Sequence, residues 1–281
     1  MSIALALLHV LAAMSPARDE VARPAFVHSE RSTSLRPCDR TSGLANGDDK
    51  LAKADELFAE FDVDEKIEPL RAAATLLDEL EKAEPARYDI RWRRARAYQA
   101  LGEAAPKKDE KLELFDRAIE SGKRAIELAP NAVEGHYWLG VSYGGYGEAK
   151  GMLKALSMID DIRREMNAVI KIDAKYEDAS AYLVLGRIDF ELPGMFGGSD
   201  KRAIEEYEQG LKLAPNNAVM KLYLADSYLD GRKDDAKKLL EELIALKADE
   251  HSPRDVRRAQ REAKQSFEKH FAKKKRRNEN Y

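Results

Sequence analysis

Residues 118–147 read AIESGKRAIELAPNAVEGHYWLGVSYGGYG, and the fold is legible in them. The first half sets Ala118, Gly122 and Ala125 four and three residues apart, ahead of Pro130. Those intervals put small residues on one face of a helix. A proline cannot continue that helix, because it lacks the backbone N–H and its ring crowds the preceding turn. The second half opens another helix, with Leu139, Gly140, Tyr143 and Gly147 at helical spacing. Glycine there lets a neighbouring helix come close.

The same pattern recurs outward in both directions, which is the signature of a repeat. The positions twelve, eight and five residues before Pro85 are Ala73, Leu77 and Leu80. Before Ala174 they are Ile162, Met166 and Val169, and before Pro215 they are Ala203, Tyr207 and Gly210. A copy without its proline runs Ala236, Leu240, Leu243. The preceding helices repeat as Ala95-Tyr98-Leu101-Gly102, as Leu185-Gly186 with Asp189 in the tyrosine position, and as Leu224-Ala225-Tyr228. The unit is nominally about 34 residues, lengthened at 103–112, at 148–160 and in the Leu192–Gly198 bend. This predicts an all-α, tetratricopeptide-type solenoid of antiparallel helix pairs over residues 50–250, without a β-sheet.

A capping helix is expected over 251–281. Ser252-Pro253 suits a helix start, and Val256, Ala259, Ala263, Phe267 and Phe271 share one face. That face would cover the open end of the stack. From His251 to Tyr281 there are eleven Lys/Arg against four Asp/Glu in a chain of net charge −3, so the rest of the chain carries the acid excess. Such a tail reads as a solvated basic helix end or as a contact for an anionic partner.

At the other end, Ile3–Ala13 is apolar and leads to Ser15-Pro16-Ala17. Over residues 1–17 this fits a secretory signal and a periplasmic or otherwise exported protein. The lack of a preceding Lys or Arg, and Pro16 itself, fit a cytoplasmic one. Residues 18–49 are rich in Arg, Ser, Asp and Pro without an apolar period, and read as a disordered linker. The lone Cys38 forms no internal disulfide and supplies no thiolate cluster.

The stretches Gly135–Gly151, Leu185–Gly198, Ala203-Ile204 and Leu213–Asn217 resemble the central repeats of the TRAP-transporter T-component family. The same region is more loosely similar to the regulator-of-microtubule-dynamics family, and the resemblance covers about residues 50–247. The first implies a periplasmic helical protein that partners the solute-binding protein of an organic-acid or other small-ligand transporter. The second implies adaptor work at membranes, with lipid handling in some relatives.

Catalytic chemistry finds little support in these residues. Gly140-Val-Ser142-Tyr-Gly144 matches a nucleophile elbow in letters, but no strand precedes it. Glycines 144–151 lack the ending of a phosphate loop and read as a turn. Met195 and Phe196, between the glycines of the bend, are placed to line a cleft. The five histidines show no ligand spacing, and His136 reads as a packed side chain. Asp160-Asp161 and Asp234-Asp235 read as helix starts. No cofactor, metal or nucleic acid is expected.

Binding is therefore assigned to the concave face lined by the first helix of each pair. Trp92, Arg96, Tyr137, Val141, Arg187 and Phe190 are its candidate residues, followed by Leu222 and Asp226. Arginines beside aromatic rings suit a protein segment, and homo-oligomerisation is compatible with such a face. The alternative is a carrier that holds a hydrophobic or organic-acid ligand in the groove, an arginine meeting the acid group.

Overall fold

The computed structural model describes residues 41–64, 66–247 and 254–272. The signal-like segment 1–17, residues 18–40 with Cys38, the Ser252-Pro253 start and the basic stretch Lys273–Arg277 lie outside the described residues.

Among the described residues the chain forms eleven α-helices and no strand. They are α1 (Thr41–Asp64), α2 (Ile67–Ala83), α3 (Tyr88–Ala104), α4 (Lys108–Leu128), α5 (Val133–Lys150), α6 (Met152–Asp173), α7 (Tyr176–Glu191), α8 (Asp200–Leu213), α9 (Ala218–Tyr228), α10 (Lys233–Ala245) and α11 (Arg254–His270). Each helix packs on the next, so α1–α10 make five consecutive pairs. Three apolar clusters follow one another along the stack.

The repeat landmarks are the residues that disappear into this stack. Ala73, Leu77, Ala118, Ala125, Met166, Val169, Ala203, Tyr207, Ala236, Leu240 and Leu243 are completely enclosed. A β-carbon added to Gly186 would lie 2.6 Å from the Tyr207 ring, and one on Gly140 would collide with the end of the Met166 side chain. The glycine of a first helix thus meets the large residue of its second helix.

Successive pairs are also joined through the tyrosine position. Tyr98 donates to Asp78 of the preceding pair at 2.6 Å, and Tyr228 donates to Glu208 in the same way. Tyr143 instead lies under the ammonium of Lys123, 5.9 Å from the ring centre. Where Asp189 replaces the tyrosine the polarity reverses, and it accepts from Arg163 at 2.6 Å and from Arg202 at 2.8 Å.

Several boundaries differ from the sequence reading. Helix α1 starts at Thr41, inside the stretch 18–49 read as linker. Asp48 near its start is paired with Arg87, a long-range contact that composition does not reveal. The turn expected at 148–160 is only Gly151, at φ 119°. Glycines 144, 145 and 147 belong to α5, and Asp160-Asp161 lie within α6 rather than at its start. The 103–112 turn shrinks likewise to 105–107 between α3 and α4. In the Leu192–Gly198 bend, a short 3-10 turn at Gly194–Phe196 leaves Met195 and Phe196 exposed rather than lining a cleft.

Helix α11 packs on α9 and α10. Ala259 and Ala263 are buried there, with Val256, Phe267 and Phe271 against the same cluster. Gln260 donates to the carbonyls of Leu243 at 3.2 Å and Leu246 at 2.7 Å. The Leu243 carbonyl also accepts from the Leu246 N–H at 3.3 Å, and the Leu246 carbonyl lies just past the end of α10, where helical partners run out.

Candidate functional site

The first helices α3, α5, α7 and α9 carry the residues predicted for the inner face, and these lie in packed surroundings rather than along an open groove. Tyr137 and Val141 are fully buried, and Arg96 and Arg187 nearly so. Trp92 and Phe190 are half-buried against the apolar clusters. Tyr137 meets Trp138 and Tyr176 edge-on, at 5.0 and 5.3 Å between ring centres.

Both arginines already have partners. Arg96 lies 3.5 Å from Asp62 and 4.4 Å above the Phe58 ring. Arg187 pairs with Glu191 one turn on and stacks 4.2 Å over Tyr223. Burial explains the pairing, because an unpaired guanidinium would lose its hydration without compensation.

Acids that the sequence reading did not single out complete the face. Burial pushes the Glu103 carboxyl up to about 7, and does the same for Glu177 and Asp255. Arg254 and Arg258 oppose the shift at Glu103, Arg96 opposes it at Glu177, and neighbouring Asp62 reinforces it at Glu177 and Asp255. Asp226, at the end of the predicted row, is likewise raised by burial, against the pull of Arg187. These acids come from helices far apart in sequence, and the packing of the stack brings them within electrostatic reach of one another or of shared arginines.

A cavity of about 50 Å³ opens beside Glu177, Ser180, Asn217, Val219 and Asp255. Glu177 and Asp178 on its wall, and Ala179 after them, take left-handed backbone angles, with φ between 48° and 58°. Such angles cost roughly 1–2 kcal/mol per non-glycine residue. The Asn217 amide holds the turn by donating to the Asp178 carbonyl at 3.0 Å.

Two other predicted features resolve as structure. Ser142 is buried and donates to the Trp138 carbonyl at 2.6 Å, as a mid-helix serine does. His136 bonds Glu165 at 2.7 Å and the Pro130 carbonyl at 3.0 Å, and its Glu165 contact raises its pKa.

The family model described as regulator of microtubule dynamics protein 1-3 matches residues 50–195. The chain belongs to this family. In this family member the matched region runs from α1 to the Leu192–Gly198 bend, and all six predicted inner-face residues fall within it. A crystal structure of a thermophilic tetratricopeptide protein from Thermus thermophilus is similar in fold, with a TM-score of 0.54 at 19% identity. The similarity covers 78% of this chain and 99% of that one. Among curated proteins, none matches. The family member is thus a tetratricopeptide-type helical stack.

Proposed function

We propose that this chain is a non-catalytic interaction protein whose inner face receives a helical segment of a protein partner. A single observation carries the reading: that face already seats a helix, α11, through side chains of α1, α3 and α9. Helical repeat proteins commonly use their concave surface in this way. The T-component resemblance supports a more specific form, in which the partner is a periplasmic solute-binding protein. A small-ligand carrier has less support here. The cavity at this face, about 50 Å³ with a mixed polar and apolar wall, is well below the roughly 300–1,000 Å³ of ordinary ligand pockets.

The test is affinity capture with the full chain, followed by hydrogen exchange with and without the captured protein. Protection on α3, α5, α7 and α9 supports the reading. Protection confined to α4, α6 and α8 contradicts it.

A further inference from the structure

Helix α11 has two faces with different jobs. Asp255, Ala259 and Ala263, at four-residue intervals, are its buried row. Arg254, Arg258, Glu262 and Ser266 form the adjoining row and meet the inner face. Arg254 lies 5.2 Å from the Phe61 ring centre on α1. Arg254 and Arg258 act on Glu103 of α3, and Arg258 and Glu262 on Tyr223 of α9. Ser266 bonds Asp226 at 3.4 Å.

This seat buries smaller side chains than those of α2, α6 and α10. Helices α2, α6 and α10 bury leucines, methionine or isoleucine. In α11 the buried side chains are two alanines and an aspartate, while Val256, Phe267 and Phe271 stay partly exposed. Alanine removes little apolar area from water. Asp255 Oδ1 is buried without a hydrogen-bond partner, its guanidinium neighbours standing 3.7 and 3.9 Å away. The seat therefore holds this helix with little fully buried apolar area and with one buried carboxylate oxygen that has no hydrogen bond.

We propose that α11 is a displaceable occupant of the inner face, and that the partner accepted there is a basic helix of the same chemistry. Such a helix carries two Arg or Lys one turn apart, aimed at Glu103 and Tyr223, beside two small residues one turn apart. The inference rests on the inner face being the binding surface, and adds its partner class and its regulation. A helix tethered in the same chain competes at an effective concentration on the order of millimolar. Any partner must exceed that competition.

The test uses the full chain and a synthetic, isotope-labelled peptide of residues 254–272. Ala263→Glu places a charge in the buried row and unseats α11, which takes Ala259 and Ala263 out of the last cluster and leaves the other two clusters intact. The variant is expected to bind the peptide at least about tenfold tighter than wild type. In wild type, excess peptide should speed hydrogen exchange in the chain's own α11, which the label distinguishes by mass. Equal affinity of wild type and variant overturns the proposal, and so does absence of binding to a variant whose α1–α10 exchange is unchanged. Arg258→Glu supplies a second route, which keeps Ala259 and Ala263 in place and reverses the charge that faces Glu103, Tyr223 and Asp255. Its failure to speed α11 exchange also counts against the proposal. If a captured protein binds wild type and Ala263→Glu equally, the scaffold reading survives and α11 is not its competitor.

Discussion

The guanidinium of Arg254 stands 5.2 Å from the centre of the Phe61 ring, so the last described helix touches the first. Arg254 also acts on Glu103 and on Asp255, which stands 3.9 Å from it, and Asp62 acts on Asp255. The inner face is consequently a closed, charged surface.

The raised acids should make stability pH-dependent. Glu103, Glu177 and Asp255 are raised to about 7 in the folded chain from ordinary values of 4.5, 4.5 and 3.8. Each is neutral in both states at low pH. As pH rises from about 4 to about 7, the unfolded chain ionises first and gains the advantage. Their contribution is therefore fully present below the unfolded values and is lost as pH rises toward the folded ones. His136, raised by Glu165, has the same sign. The melting temperature should fall as pH rises from about 5 to about 8, and Glu177→Gln should reduce the fall. A melting temperature that rises across this range in wild type contradicts the assignment.

Replacing Asp189 by Asn should cost more than removing the Tyr98 hydroxyl. Asp189 is buried and accepts from two arginines, so its loss should cost about 1.5–3 kcal/mol. Tyr98→Phe removes the bond donated to Asp78 and the one accepted from the more exposed Arg117, and should cost about 1–1.5 kcal/mol. Urea unfolding of both variants gives the comparison, and equal costs would show that the substituted position does not join the repeats.

Gly186→Ala sets a methyl against the Tyr207 ring and should destabilise by about 1–3 kcal/mol. Gly194→Ala meets nothing within 4 Å, and should change stability by under about 0.5 kcal/mol. Thermal melts of the two distinguish close helix approach from a general cost of alanine.

Arg96→Ala and Arg187→Ala should each lower the melting temperature. Asp62 and Glu191 then lose a charge partner in a buried setting. A binding defect in either is interpretable only beside that melt. Unchanged melting in both would place the guanidiniums on an open surface.

The fold is readable from sequence because its cause is periodic. Ala118, Gly122, Ala125 and their equivalents are small or apolar since helices cross there, and a fixed interval survives in the sequence. The binding face has no such period. Arg96 and Arg187 stand out as arginines on an inward row, but their acids Asp62 and Glu191 come from a different helix in one case and the next turn in the other. Glu103, Glu177 and Asp255 come together only through the packing of the stack. The Asp160-Asp161 pair shows the converse error: a charge pattern typical of a helix start sits within α6. No local signal marks the one-residue turn at Gly151 as shorter than the bend at Leu192–Gly198.

The seating of α11 on the inner face is tested most directly by cross-linking. In a Cys38→Ser background, Phe61→Cys and Arg254→Cys are combined and treated with a short bismaleimide. A Leu246→Cys/Gln260→Cys protein, whose native groups are hydrogen-bonded at 2.7 Å, serves as the control. An intramolecular cross-link is predicted in both proteins at low concentration. A cross-link in the control alone would contradict this seating, showing that α11 packs on α10 without reaching the first pair.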